Sequence, residues 1–378
     1  MDRPRSRVKA LLLTGLNQPE ALCNLSLPDW DLLLRAARRV RLLGRLEAKL
    51  AHAEYLDQIP PRAADHLRAA RTVIEHRNRL ATWELNRLLW AVKDVDCPLV
   101  LLKGAAYLLA ALPLARGRLF ADLDILVPES KIPEIENACL NRGWYSIKLH
   151  PYDERYYRVW MHEIPPLRHR ERGTEIDIHH RLLPRTSRLA SNPGPLFAAT
   201  CPLENPRLAV LQPADMVLHA LIHLFLEGDP HDGLRLRDLV DAHDLLEHFG
   251  KESSFWETLV PRARELGFER PLYYGLRYAR RILGTLIPEE VMRTAEAGAP
   301  AQPIRAIMDC LIPLALWPDH PDHPSRAAAL ARNLVYLRSH WLRMPPLLLI
   351  RHLGFKAWLR LCGKQKQADL TRLDLGQQ

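Results

Sequence analysis

What the chain lacks narrows it first. No stretch approaches the ~20 apolar residues that a helix needs to span a bilayer, so a transmembrane protein is not expected. Cysteine is sparse: Cys23, Cys97, Cys139, Cys201, Cys310 and Cys362 lie far apart. None has CxxC spacing, which argues against a zinc or dithiol motif and for a reduced, cytoplasmic setting. The opening MDRPRSRVKALLLTGL is basic, but its apolar run is too short for a secretory leader and no small-residue cleavage site follows cleanly. Internal repeats are absent. His219 and His223 are one helical turn apart, yet no HExxH accompanies them. Packing within a helical region is the better reading of that pair than zinc ligation.

What is present is ordinary in bulk and biased in charge. A chain of 378 residues has room for two or three domains. Hydrophobic residues make up 48% and charged ones 26%, as in globular proteins. The net charge is +9, and Arg far outnumbers Lys. That balance suits anionic partners such as nucleotides, RNA or an acidic membrane surface, and it equally suits a solvated surface.

Residues 99–127, LVLLKGAAYLLAALPLARGRLFADLDILV, organise the rest. The apolar run 99–102 reads as a buried strand. Lys103-Gly104 breaks it, and 105–112 reads as a helix. A basic loop with Arg116, Gly117 and Arg118 leads into Asp122-Leu-Asp-Ile-Leu-Val127, a second strand. Alternate side chains of a strand share a face. Asp122 and Asp124 therefore point one way, and Leu123 and Ile125 point into the sheet. Two neighbouring carboxylates repel unless a cation lies between them, and a hard divalent ion is the natural occupant. The same alternation recurs in Thr174-Glu-Ile-Asp-Ile-His-His180, with Glu175, Asp177 and His179 on one face.

A Gly turn before a helix, an Asp-x-Asp strand and a later strand with a lone Asp, in that order, resemble the nucleotidyltransferase fold of the DNA polymerase β superfamily. Within it the chain is most similar to the bacterial uncharacterised nucleotidyltransferases that carry Leu-Lys-Gly-Ala in place of Gly-Ser. The resemblance covers about residues 70 to 250. It implies an α+β fold: a nucleotidyltransferase-type mixed sheet flanked by helices, with N- and C-terminal helical regions. The expected divisions are a helical region at 1–95, a catalytic core at 96–182 and a mostly helical region at 183–378.

The resemblance also implies roles. Asp122, Asp124 and Asp177 would be catalytic and would ligate Mg²⁺, or Mn²⁺ in its place, with Asp177 toward the acceptor. Lys103, Gly104 and Ala105 would meet the NTP phosphates, although Ala105 stands where Ser is usual and supplies no hydroxyl. Arg118 reads equally as a phosphate contact or a surface residue. His179 reads as a metal or substrate contact, or more simply as a hydrogen-bond partner. Arg237, Asp238 and Asp241 read as interdomain contacts. The activity implied is transfer of an NMP group from an NTP, ATP by abundance, to an acceptor that is a protein, a small molecule or RNA. Three other readings stay open: a nucleotide-binding protein without turnover, a toxin-like or tRNA-modifying nucleotidyltransferase, and a membrane-associated accessory of an export or polysaccharide pathway.

Around this core the chain reads as helical. A long helix is expected over 63–95, its basic face (Arg68, Arg71, Arg77, Arg79, Arg87) either solvated or an acceptor-docking surface. A strand is expected over 156–167. Prolines between 184 and 213 read as an irregular linker, with helices over 214–226 and 236–248 after it. The tail 341–361 mixes Trp341, Leu347, Ile350 and Trp358 with Arg343, Arg351 and Arg360. It reads as a terminal helix packed on its own domain or as a peripheral contact with an anionic membrane.

Overall fold

The computed structural model describes residues 3–120, 122–147, 151–189, 192–226 and 235–361. The fold is α+β. A mixed seven-stranded sheet lies between helical regions on either side in sequence. Its strands are β1 (Leu99–Leu101), β2 (Leu123–Leu126), β3 (Trp144–Ser146), β4 (Leu167–His169), β5 (Glu175–His179), β6 (Thr200–Pro202) and β7 (Leu208–Leu211), in the spatial order β3-β4-β5-β2-β1-β7-β6. Every residue of β1, β2 and β7 is buried. That is why β1 and β7 are short apolar runs, as expected of strands covered on both faces, whereas β2 is interrupted by the buried Asp124.

The pairing around β2 sets the site. β1 runs antiparallel to β2, with Leu101 opposite Ile125. β2 runs parallel to β5, and the register puts Leu123 against Ile176, Asp124 against Asp177 and Ile125 against Ile178. Because side chains alternate, one register fixes both outcomes: the isoleucines meet in the core and the aspartates meet on the other face.

The long helix is Pro61–Ala91, with Pro61 in its first turn, where the missing N–H costs nothing. It packs on helices Lys103–Leu109 and Ile132–Leu140. Helix Ile132–Leu140 is followed by Gly143 at φ +94, which turns the chain into β3. Helix Pro213–Leu226 is buried at every position except Pro213 and His223. It is the hub of the C-terminal region, contacting helices Leu236–Phe249, Ser253–Glu265, Glu269–Tyr278 and Arg326–Arg343. One apolar cluster runs from Val8 through the sheet to Val335.

Two expectations fail for physical reasons. The strand expected over 156–167 is instead helix Pro151–Trp160 followed by β4. Tyr152, Tyr156 and Trp160 recur every four residues and their rings touch, at 6.3 Å for Tyr152 with Trp160 and 5.9 Å for Tyr156 with Trp160. The Pro-rich stretch after residue 183 is not merely a linker: it supplies β6 and β7, and β7 pairs parallel with β1. Its prolines are tolerated because β6 lies at the sheet edge.

Among the described residues no helix is long and apolar enough to cross a membrane. Leu347, Ile350 and Trp358 of helix Pro346–Leu361 are exposed.

Candidate active site

Three carboxylates converge at the β2–β5 register. Asp122 lies just before β2 and is exposed, Asp124 is buried, and Asp177 is half-buried. One oxygen from each lies within 4.8 Å of the others. Asp177 Oδ1 is buried and has no hydrogen-bond partner. Burial, and then the charges of Asp124 and Asp122, push Asp177 well above the ordinary carboxylate range. Burial acts the same way on Asp124, but Lys103 and His179 outweigh it and hold Asp124 far below that range. An acceptor-only oxygen without a donor, inside a group of like charges, is an arrangement that a hard divalent cation satisfies. The residues present fit such an ion.

Lys103 reaches this group from the opposite side. The Leu102 N–H donates to the Asp124 carbonyl at 3.0 Å, which seats the end of β1 beside β2. Lys103 Nζ then lies 2.8 Å from Asp124 Oδ1. Its backbone is left-handed, at φ +46. For a non-glycine residue that costs on the order of 1 kcal/mol, so the turn is held against a local penalty. Gly104 follows because a Cβ there would come within 2.5 Å of Phe120 Cγ and 2.6 Å of Arg118 Nη1. Glycine is therefore required at 104 by the packing of Phe120 and Arg118. Ala105 is 1% exposed and lies in the apolar core, away from the cleft.

Arg118 is neither a surface residue nor free. Its Nε donates to Asp241 Oδ2 at 2.6 Å, and its guanidinium lies 5.3 Å from the Tyr107 ring centre. Burial opposes its charge, but Asp241 more than compensates and keeps it firmly cationic. Asp241 also accepts from Arg45 Nη2 at 3.0 Å, and Arg45 donates to the Leu114 carbonyl. Helix Leu236–Phe249 is thereby tied both to the loop before β2 and to helix Leu43–His52. Asp238 accepts from His223 at 2.9 Å. Burial raises the Asp238 carboxyl, but His223 overrides it and holds it low.

Asp122, Asp124 and Lys103 open into a cleft of about 260 Å³. Its wall carries Arg39, Arg41, Lys103, Arg118, Arg235, Arg237 and Arg332 against the carboxylates Asp122, Asp124 and Asp319. Asp319 is already paired with Arg332 at 2.6 Å. The cleft is therefore cationic, with an acidic group at one end. Sequence reading missed Arg39, Arg41, Arg235 and Arg332, which come from three separate segments and share no motif. On the basic face of helix Pro61–Ala91, Arg68 pairs with Asp57 and Arg71 with Glu75, whereas Arg77 lines a small pocket that Asp122 shares.

A family model described as uncharacterised nucleotidyltransferase matches residues 26–284. The chain belongs to this family. The match is wider than the motifs suggest, taking in helices before the sheet and after it. No curated protein and no solved structure matches the chain. In this nucleotidyltransferase His179 sits behind the acidic group, its Nε2 3.1 Å from Asp124 Oδ1. Burial lowers its pKa to about 4, so the ring is neutral near pH 7. The ionised Asp124 only accepts, so His179 Nε2 carries the hydrogen and donates it.

Proposed function

We propose that the protein transfers an NMP group from an NTP, with ATP the first candidate, to an acceptor hydroxyl or phosphate, the acceptor oxygen bonding the α-phosphorus as pyrophosphate leaves, and that it does so with Mg²⁺. The observation that carries the reading is the β2–β5 register, which gathers Asp122, Asp124 and Asp177 at one end of a cationic cleft in a chain of this family. Bound divalent ions would neutralise charge on the triphosphate and lower the pKa of the acceptor oxygen. Asp122 and Asp124 hold the metal that carries the triphosphate. Asp177, across the register, would face the acceptor and take up its proton once the bound ions offset the neighbouring carboxylates. Lys103, which holds Asp124 at 2.8 Å, would supply a positive charge for the phosphates. The arginines of the cleft wall orient the polyanion, and positioning of this kind supplies much of the catalysis in phosphoryl transfer.

The test is incubation of the protein with each α-labelled NTP, Mg²⁺ and a cell extract. Label should enter one extract fraction with the wild type and not with Asp124→Asn. Absence of label from every fraction with all four NTPs overturns the reading. The buried methyl of Ala105, where a hydroxyl is usual, supports a second reading of binding without turnover. NTP affinity with no transfer in the same assay selects it.

Lys103 has its own expected result. Loss of a charge-assisted contact costs about 1.5–3 kcal/mol, so Lys103→Ala should weaken Mg·ATP binding by about 10- to 100-fold. Lys103→Arg should weaken it less. Calorimetry that finds equal affinity in all three proteins removes Lys103 from the nucleotide site.

A further inference from the structure

A second group of ligand-type side chains lies behind the carboxylates, and it does not depend on the transfer reaction. The segment 162–164 runs antiparallel beside the end of β5, with Glu163 bridged to His179. The His180 N–H donates to the His162 carbonyl at 2.9 Å, and the Ile164 N–H donates to the Ile178 carbonyl at 3.1 Å. These backbone bonds bring His162, Glu163 and His179 together, with one ligand atom from each within 4.8 Å of the others. Both imidazoles are buried, and Glu163 is largely so.

His179 is hydrogen-bonded to Asp124, but the separations from Glu163 suit a ligand set better than hydrogen bonds. Glu163 Oε2 lies 3.4 Å from His179 Nε2 and 4.0 Å from His162 Nε2. Good hydrogen bonds between such atoms fall at about 2.7–3.2 Å. Two ligands on one tetrahedral ion, with bonds of about 2.0–2.2 Å, stand about 3.3–3.5 Å apart. The first distance matches that spacing and the second exceeds it by a shift that a side-chain rotation covers. Asp124 Oδ1, 3.1 Å from His179 Nε2, is within reach as a fourth donor.

Two imidazole nitrogens with one or two carboxylate oxygens form a borderline donor set, which favours zinc-class transition ions over Mg²⁺. We propose that His162, Glu163 and His179 bind a zinc-class divalent ion beside the carboxylate triad, with Asp124 at the boundary between the two. The ion takes the place of the His179 Nε2 hydrogen, and the neutral ring's one proton moves to Nδ1.

The experiment uses the full-length, tag-free chain after chelator treatment and dialysis. Zn²⁺ titration by calorimetry in millimolar Mg²⁺ should show one tight site per chain. His162→Gln and Glu163→Gln should each weaken it by at least about 100-fold, since even outer-shell partners of a metal ligand cost 10- to 100-fold. Pulsed EPR of the wild type loaded with Cu²⁺ should show imidazole ¹⁴N couplings. Asp122→Asn, which thins only the carboxylate group, should keep them. Wild-type protein that binds Zn²⁺ no more tightly than Mg²⁺ overturns the proposal, as does a Cu²⁺ spectrum without nitrogen couplings. Neither result depends on whether a variant folds. Unchanged Zn²⁺ affinity in both glutamine variants overturns it as well.

Discussion

Asp177→Asn should cut label transfer by about 10²-fold or more, the scale for losing a positioned general base, while Mg·ATP affinity stays near the wild-type value. Asn keeps the shape and loses the charge. Asp122 and Asp124 remain to hold the nucleotide's metal, and Ile176 and Ile178 stay packed in the core with no exposure. The same variant should be more stable than the wild type when no metal is present. Asp177 Oδ1 is buried without a donor, and burial together with Asp124 and Asp122 raises its pKa. The sign follows from linkage. A carboxyl with a raised folded-state pKa binds its proton more tightly folded than unfolded. Its contribution is therefore favourable below the unfolded value and is lost as pH climbs through the folded one.

Metal-free wild type should thus lose stability as pH rises out of the ordinary carboxylate range through the raised value of Asp177. Asp177→Asn should not show that loss. Divalent metal should reverse it in the wild type, because bound metal replaces the proton. The gain from Asp177→Asn should be about 1–3 kcal/mol, the usual cost of a buried polar group left without a partner. Denaturation of both proteins across pH, with chelator and with Mg²⁺, measures it. Transfer by Asp177→Asn at the wild-type rate places Asp177 outside the site.

Asp241→Ala should destabilise the fold by about 3–5 kcal/mol, the range for removing one partner of a buried ion pair. Asp241, Arg118 and Arg45 keep only 3%, 7% and 6% of their side-chain surface exposed. Without Asp241, Arg118 is left buried over Tyr107 with no carboxylate, and Arg45 keeps only Asp244 at 3.1 Å. An exposed pair would lose no more than about 1 kcal/mol. The denaturant midpoint separates the two cases, provided the slope with denaturant is unchanged. A loss below about 1 kcal/mol means that the three side chains are solvated in solution. The variant should also weaken Mg·ATP binding, because Arg118 forms part of the cleft wall and Asp241 fixes its position.

Local chemistry was readable without coordinates wherever a feature is contained in a few consecutive residues. Asp122-Leu-Asp and Glu-Ile-Asp177 announce their faces by alternation, since a strand's period of two is a property of the backbone. The α+β class and the family follow from the order of such short elements. Helix Pro213–Leu226 could likewise be placed to within a residue from its apolar content.

What depended on tertiary structure was everything that joins distant segments. The alternation in β2 and in β5 does not state their register; the parallel pairing of Asp124 with Asp177 does. Arg118 was equally readable as a ligand contact or as surface, because its partner Asp241 lies more than a hundred residues away. Gly104 suggested room for a phosphate, yet the atoms that exclude a Cβ there belong to Phe120 and Arg118. The strands β6 and β7 were hidden among prolines, because an edge position tolerates proline and the sequence does not say which strand is at the edge. His162 and Glu163 carried no signal at all: a ligand set split between two strand-like segments has no fixed spacing, and only the backbone bonds between them bring the side chains together.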